Sequence, residues 1–173
     1  LVAYTHYAYD AAGNPLLTSD AQSNFVQNVY DVSGALTATI DPLSRVTSNL
    51  YDSAGRAFMT IAPDGTVSSN TYDQSGRLIG VSRYSSTLAL LTSDAYAYDP
   101  LGRQVSVTDA LGNTTTNVFD LLSRTIRTIN PDGSYSETEY DRLGNQAKTI
   151  GPVSGNATAQ DKSDATAAYV FDA

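Results

Sequence analysis

Seven aspartates recur along the chain, each directly after an aromatic residue, and a series of carboxylates could do chemistry. They are Asp10, Asp31, Asp52, Asp73, Asp99, Asp120 and Asp141. A carboxylate ladder could bind Ca²⁺, or two of the groups could act as the paired acids of a glycosidase. The alternative is that each Asp accepts hydrogen bonds from backbone N–H groups of its own turn. We favour the turn, because nearly every Asp is followed by a Gly three residues later and no Asp-x-Asp-x-Asp loop is present.

Other residues with chemical potential have equally plain structural interpretations. Arg56, Arg77, Arg103 and Arg124 could line a groove for acidic sugars or carboxylates, but we expect them to pair with Asp or Tyr of neighbouring repeats. Exposed Tyr would suit sugar stacking, whereas Tyr at a fixed register favours a core position. His6 is the only histidine and lacks the partners that a catalytic triad or a zinc site needs. We therefore predict no catalytic, cofactor-binding or metal-binding residue, and no enzyme.

Composition excludes several other classes of function. The chain has no cysteine, so disulfide scaffolds and thiolate chemistry are excluded. The net charge of −8 argues against nucleic acid as a partner, and no apolar run is long enough for a membrane helix. Of the 18 acidic residues, only Glu137 and Glu139 are Glu. Because Asp is favoured in turns and Glu on helices, the acidity indicates turn structure.

The aspartates belong to a repeat that covers nearly the whole chain. Tyr-Asp or Phe-Asp recurs in steps of 21 residues, interrupted by one step of 26 and one of 31. Gly lies four positions after the aromatic, with Ser123 as the exception, and Arg often follows. The repeated residues are Tyr9, Asp10, Gly13, Tyr30, Asp31, Gly34, Tyr51, Asp52, Gly55, Arg56, Tyr72, Asp73, Gly76, Arg77, Tyr98, Asp99, Gly102, Arg103, Phe119, Asp120, Arg124, Tyr140, Asp141 and Gly144. A fixed period of this length is typical of a repeat architecture.

Each repeat carries a second turn signal halfway along, such as "DPLS" from Asp41 and "NPDG" from Asn130. Asp or Asn first, Pro second and Gly fourth is typical of a type I turn. The segments between the turns, such as "VSVT" before Asp109, are rich in β-branched residues and indicate strands. We predict an all-β fold of tandem antiparallel β-hairpins, with roughly fourteen strands that coil into a spiral sheet or shell segment.

Side chains two apart in a strand point to the same face, which predicts two ladders. We expect the aromatic of each hairpin to pack against its copy in the neighbouring hairpin. A second ladder would consist of the Asn residues two positions earlier, namely Asn28, Asn49, Asn70 and Asn117.

We expect a single repeat region that covers residues 1–173. Two of its repeat units are longer than the rest. The extra residues lie near 83–92 and near 151–168, and the pattern places both at the second turn of the unit. Loops on a rigid scaffold often carry binding, but drift at a tolerant turn is the favoured interpretation. The first residue is not Met and the last residues look cut short, so we expect a fragment of a longer chain.

The pattern Y-D-x-x-G-R every 21 residues, with D-P-x-G-like turns between, resembles the YD repeat of the Rhs family. Related repeats occur in insecticidal toxin-complex proteins, bacterial wall-associated proteins and animal teneurins. The resemblance implies a long β-sheet that spirals into a hollow shell. In polymorphic toxins such shells enclose a C-terminal toxic domain, and the repeats have also been linked with carbohydrate binding. The self-cleaving protease segment, the plug domain and the toxin domain of the family have no counterpart in the pattern found here.

The sequence therefore predicts a non-catalytic structural segment of a shell that encloses or presents another domain of a secreted or cell-surface toxin or adhesin. One alternative is a module that binds glycan or a cell-surface partner. Another is a self-assembling extracellular fibre, because terminal hairpins present unpaired strand edges. The expected partners are other repeats of the same chain, other copies through sheet edges, an enclosed toxin domain or a surface glycan, without any cofactor.

Overall fold

The computed structural model describes residues 5–22 and 24–155, together with the backbone of 166–168. These residues form strands and turns and contain no helix. Each strand that follows another in sequence runs antiparallel to it wherever the pairing is described. The predicted all-β fold of tandem antiparallel hairpins is confirmed.

The chain divides into two compact units, Leu1–Ser93 and Asp94–Ala173, and β9 (Leu90–Tyr98) runs across the division. In the first unit, eight strands pair in sequence order. They are β1 (His6–Tyr9), β2 (Pro15–Ser19), β3 (Phe25–Tyr30), β4 (Leu36–Ile40), β5 (Val46–Tyr51), β6 (Ala57–Ile61), β7 (Val67–Tyr72) and β8 (Leu78–Tyr84).

The second unit repeats this arrangement from the end of β9 onward, and each strand again pairs with the next. Its further strands are β10 (Gln104–Thr108), β11 (Thr114–Phe119), β12 (Thr125–Ile129), β13 (Tyr135–Tyr140), β14 (Gln146–Val153) and β15 (Thr166–Ala168). A strand therefore pairs with its sequence neighbours, so most contacts are local in sequence.

A β-bulge marks the aromatic end of the hairpins. At the β3–β4 pair, Val29 lies opposite Ala38 while Tyr30 lies opposite Leu36, so Thr37 is the extra residue. The register shifts in the same way next to Tyr51, Tyr72, Phe119 and Tyr140. A bulge bends the strand and disrupts the regular ladder locally. Side chains rather than backbone groups therefore have to satisfy the polar groups at this end.

Burial is sparse and falls on one face of the sheet. Val67, Tyr135, Ile150 and Val153 are the buried hydrophobic residues of the described part of the chain, and each is 7% exposed. No large side chain in that part is completely buried. Tyr135, Ile150 and Val153 form a cluster against which Ile129 packs. Val67 in β7 and Tyr135 in β13 lie an odd number of positions from the aromatics of their strands, so they point to the opposite face. Hydrogen bonds within and between turns therefore carry much of the organisation.

The extra residues near 83–92 lengthen strands instead of enlarging a loop. β8 has seven residues and β9 has nine, whereas β4 has five and β5 has six. The connecting turn keeps the usual five-residue form, with Ser85 N donating to Ala89 O at 2.8 Å. The expectation that these residues lie in the turn is therefore wrong: β8 is two residues longer than β4 and β9 is three residues longer than β5, and the added end of β8 pairs with Val67 and Ser68 of β7. Most of the second long stretch, 156–165, lies outside the described residues.

Candidate functional site

The repeated Tyr–Asp turn contains most of the residues singled out in the sequence, and one aspartate oxygen organises it. In the turn Asp52–Arg56, Asp52 Oδ1 accepts hydrogen bonds from Ala54 N at 2.9 Å and Arg56 N at 3.0 Å. Two backbone hydrogen bonds close the turn: Asp52 N donates to Arg56 O, and Gly55 N donates to Asp52 O. The same two carboxylate bonds occur at Asp10, Asp31, Asp73, Asp99, Asp120 and Asp141.

These bonds stabilise the ionised form of the turn carboxylates. The side-chain bond from Arg56 and the backbone N–H of Arg56 lower the pKa of Asp52 from its ordinary value of 3.8. At Asp10 the largest cause of the lowered pKa is the side-chain bond from Asn14. At Asp73 it is the backbone N–H of Arg77. A carboxylate that accepts several N–H bonds favours its charged state, which is the state the turn requires.

The fourth residue of each turn takes a left-handed backbone conformation. Gly55 has φ +77° and Gly76 has φ +83°. Glycine adopts this conformation without the steric penalty that a Cβ atom brings. Ser123 takes the same conformation with φ +63°, which explains how this unit retains its turn without the expected Gly.

Arg56 joins its own turn to the next hairpin. Arg56 Nε and Nη2 contact Asp52 Oδ2 at 2.7 and 2.6 Å. Its guanidinium carbon lies 4.7 Å from the centre of the Tyr72 ring, and Nη1 contacts Asp73 O at 3.4 Å. The expected pairing with Asp of a neighbouring repeat is wrong, because the carboxylate belongs to the same turn. The contact with an aromatic of the neighbouring repeat is as expected.

The same linkage occurs in the second unit. The Arg103 guanidinium lies 4.8 Å from the Phe119 ring and donates to Asp120 O at 2.9 Å. The Arg124 guanidinium lies 4.3 Å from the Tyr140 ring. Where aromatic residues were expected to pack against their own copies, the described contacts of these rings are with arginine. A planar guanidinium can stack on a ring while its edge binds a carboxylate.

The Tyr hydroxyl and the Asn two positions earlier share one backbone acceptor. Tyr51 Oη donates to Leu36 O at 3.0 Å and Asn49 Nδ2 donates to the same atom at 3.1 Å. The same pair of hydrogen bonds occurs in two other hairpins. Pro15 O accepts from Tyr30 and Asn28, and Ala57 O accepts from Tyr72 and Asn70. Leu36 lies next to the bulge, so its carbonyl receives side-chain donors in place of a ladder bond.

The asparagine side chains also accept a hydrogen bond from a threonine in the next strand, a contact that the sequence pattern was not used to predict. Thr60 Oγ1 donates to Asn49 Oδ1 at 2.9 Å. Thr39 binds Asn28 and Thr128 binds Asn117 in the same manner. A Thr eleven residues after the Asn is the sequence signal that could have predicted it. Each of these bonds connects two adjacent strands on the aromatic face.

The remaining predicted positions have less distinctive surroundings. Tyr9 is 57% exposed and its ring stacks with that of Tyr7 at 6.2 Å between centres. Tyr98 is half-buried, and Gly102 and Gly144 have the positive φ of the other turns. His6 is exposed on β1. Within the described ranges, no group of three or more His, Cys, Asp or Glu residues is arranged to hold a metal ion.

Comparison with known proteins gives the repeat a family. Residues 72–114 match the family model for the RHS Repeat. These residues contain the Tyr72 and Tyr98 turns, and the flanking units have the same turn bonds and the same spacing. Residues 72–114 carry the RHS repeat. The resemblance drawn from the sequence is therefore confirmed. No curated protein sequence matches the chain.

Solved structures of toxin complexes resemble this chain in fold. The Photorhabdus luminescens Tc holotoxin pore with the TccC3-D651A mutation matches with a TM-score of 0.71 at 21% identity, over 86% of this chain and 9% of that one. The TcdB2-TccC3 crystal structure matches with a TM-score of 0.70 at 22% identity, over 87% of this chain and 9% of that one. The chain therefore corresponds to a small part of each protein. Within the described residues, no helix is long and apolar enough to span a membrane.

Proposed function

We propose that this chain is a non-catalytic wall segment of a β-shell that encloses or presents another domain of a secreted or surface toxin or adhesin. The observation that carries the proposal is the linkage of Asp52, Arg56 and Tyr72 across two hairpins. The carboxylate, the guanidinium and the ring all contact one another or the backbone. Residues used in this way hold a wall together, and the linkage recurs at Arg103 and Arg124.

The likeness to the toxin-complex structures supports the proposal at the level of fold. Those structures include TcdB2-TccC3 fused or combined with further segments, one of which carries the name Cdc42. Because the identity is 22% and the coverage of that chain is 9%, the likeness is one of architecture. The role of a wall segment, with the active part of the molecule elsewhere, is the role that this architecture fits best.

Exposed leucines at the turn tips of the second unit also support a position within a larger protein. Leu101, Leu122 and Leu143 are 73%, 74% and 87% exposed, and they occupy the same position in three successive Tyr–Asp turns. Exposed apolar side chains that form a series typically mark a contact surface. A wall segment would bury this series against neighbouring parts of the shell.

The experiment that tests the proposal is the isolation of the native polypeptide that contains this sequence. Intact mass and limited proteolysis would be measured on the same sample. We expect a mass several times the 18.4 kDa of this chain and a second domain that resists protease until the shell is opened by denaturant. An intact mass near 18.4 kDa would overturn the proposal, because these hairpins are too few to close around a domain.

A self-assembling fibre is the second candidate function, and the exposure of strand β1 at the edge of the sheet favours it. All four residues of this strand are exposed, and among the described strands it pairs with β2 alone. An unpaired edge offers backbone donors and acceptors to another copy. Light scattering that grows with protein concentration, and that disappears when Ala8 is replaced by Pro, would favour the fibre. A constant monomer mass would exclude it.

A further inference from the structure

One Tyr–Asp turn differs from the others in the residue that closes it. The fifth residue of the turn is Arg at Arg56, Arg77, Arg103 and Arg124 and Asn at Asn14 and Asn145, but it is Ala at Ala35. Asn14 still reaches its turn carboxylate, because its Nδ2 donates to Asp10 Oδ2 at 2.9 Å. Ala35 has no polar side chain. Among the Tyr–Asp turns that the structure describes, Asp31–Ala35 is therefore the one without an internal donor from this position.

The neighbouring turn shows what surrounds a guanidinium in this repeat. Arg56 Nε and Nη2 lie on the edge of the Asp52 carboxylate, and its flat face lies over Tyr72. Its Nη1 contacts Asp73 O and lies 3.4 Å from where a Cβ atom on Gly76 would be. A carboxylate, an aromatic face and a backbone carbonyl thus converge on one cation.

The corresponding groups are all present beside Ala35. Asp31 supplies the carboxylate, Tyr51 the ring and Asp52 the backbone carbonyl. Asp31 Oδ1 is occupied by Ser33 and by the N–H of Ala35, but Asp31 Oδ2 accepts no hydrogen bond from the described part of the chain. Tyr51 is held in place by its bond to Leu36 O at 3.0 Å.

Two observations show that the space beside these groups is open. A Cβ atom built on Gly55 would meet no heavy atom within 4 Å, whereas the equivalent position on Gly76 meets Arg56 Nη1. Asp31 is also exposed, while the carboxylates of Asp52, Asp73 and Asp120 are only 20–25% exposed beside their arginines. The side chain that reduces the exposure of the carboxylate in those turns does not exist at Ala35.

We propose that Asp31, Tyr51, Asp52 and Gly55 form a binding site for a guanidinium group, supplied by an arginine side chain from another polypeptide segment. Arginine fits better than lysine, because a planar guanidinium binds a carboxylate edge and stacks on a ring at the same time. The net charge of −8 on the chain favours a cationic partner over an anionic one. An arginine bound at this site would join the other polypeptide segment to the sheet by a specific contact.

The test uses the 173-residue chain and the probe N-acetyl-arginine N-methylamide, followed by amide and aromatic NMR shifts. We expect saturable shifts at Gly55 and Tyr51, with little change at Gly76 and Tyr72, where Arg56 already lies. The uncharged analogue N-acetyl-citrulline N-methylamide should produce no saturable shift. Asp31→Asn should raise the dissociation constant about threefold or more, because it removes the charge that the guanidinium meets.

Two variants make the outcome decisive. Ala35→Arg supplies the guanidinium internally, so the response at Gly55 should be lost and the chain should become more stable to urea. Arg56→Ala should create the same site at the next turn, so that Gly76 and Tyr72 begin to respond to the probe. Equal shifts at Gly55 and Gly76 in the unaltered chain, or equal effects of the arginine and citrulline probes, would overturn the proposal. The unaltered chain and Arg56→Ala still decide it if Ala35→Arg does not fold.

Discussion

The guanidinium of Arg56 lies 4.7 Å from the centre of the Tyr72 ring, in the next hairpin of the repeat. The same arginine binds Asp52 of its own turn through two nitrogens. The Arg56 side chain therefore stabilises its own turn and also packs against the next repeat. The stability of the sheet should depend on arginine at this position more strongly than on an ordinary surface ion pair.

Arg103→Lys should lower the free energy of unfolding by about 1 kcal/mol, because lysine loses both the stacking on Phe119 and the fork geometry at the carboxylate. Arg103 has the least exposed side chain among the arginines paired with a turn aspartate, at 22%. The matched control is Arg45→Lys. Arg45 pairs with Asp41 but is 60% exposed, so its replacement should cost only a few tenths of a kcal/mol. Urea unfolding of both variants measures the difference, and equal losses would contradict a role for the ring.

Tyr72→Phe should destabilise the chain by about 1 kcal/mol, since the hydroxyl donates to Ala57 O at 2.9 Å beside the bulge. The loss should be moderate because Asn70 Nδ2 still donates to the same carbonyl at 3.2 Å. Tyr7→Phe is the control, because Tyr7 is 57% exposed. The double variant Tyr72→Phe with Asn70→Ala should lose more than the two single variants together. A purely additive result would show that the two donors contribute independently, and would contradict the idea that one compensates for the loss of the other.

Gly65→Ala should destabilise the first unit through two separate effects. The φ of +81° strains any residue with a Cβ atom, at a cost of about 1–2 kcal/mol. The new Cβ would also lie 3.0 Å from Ser86 Cβ in the turn between β8 and β9. Gly55→Ala is the matched control, with φ +77° and open space around it. Thermal unfolding should show a lower midpoint for Gly65→Ala, and equal midpoints would mean that the β8–β9 turn moves away freely.

Acid should unfold the chain, because the pKa of the turn aspartates is lowered in the folded state. Hydrogen bonds from Asn14 to Asp10 and from Arg56 to Asp52 are the largest causes at these two positions. The unfolded chain, with values near 3.8, then binds protons more readily than the folded chain. Stability is fully present above that value and is lost as the pH falls through the lower folded-state values.

The urea midpoint measured from pH 7 to pH 2 tests this dependence. We expect little change between pH 7 and about pH 5 and a steep decrease below about pH 4. Added salt should change the effect little, since hydrogen bonds outweigh the coulombic contribution of Arg56 to the lowered pKa of Asp52. An acid-independent midpoint would mean that the turn carboxylates do not stabilise the fold.

The turns, the strands and their antiparallel succession could be predicted from the sequence alone. These features follow from interactions within a few residues: Asp52 bonds to N–H groups two and four positions later, and Gly55 takes a left-handed φ. The period of 21 residues repeats these local preferences and so predicts the hairpins.

The contacts between side chains of different repeats could not be predicted from the sequence and depend on the folded sheet. The bulge beside Tyr51 leaves Leu36 O to the side chains of Asn49 and Tyr51, and the sequence pattern does not show a bulge. The offset between hairpins places Arg56 on Tyr72, so the expected stacking of aromatics on their copies does not describe these rings. The extra residues near 83–92 lengthen β8 and β9, and the added end of β8 pairs with β7. Register and offset depend on the balance of the whole sheet, and local turn chemistry cannot specify them.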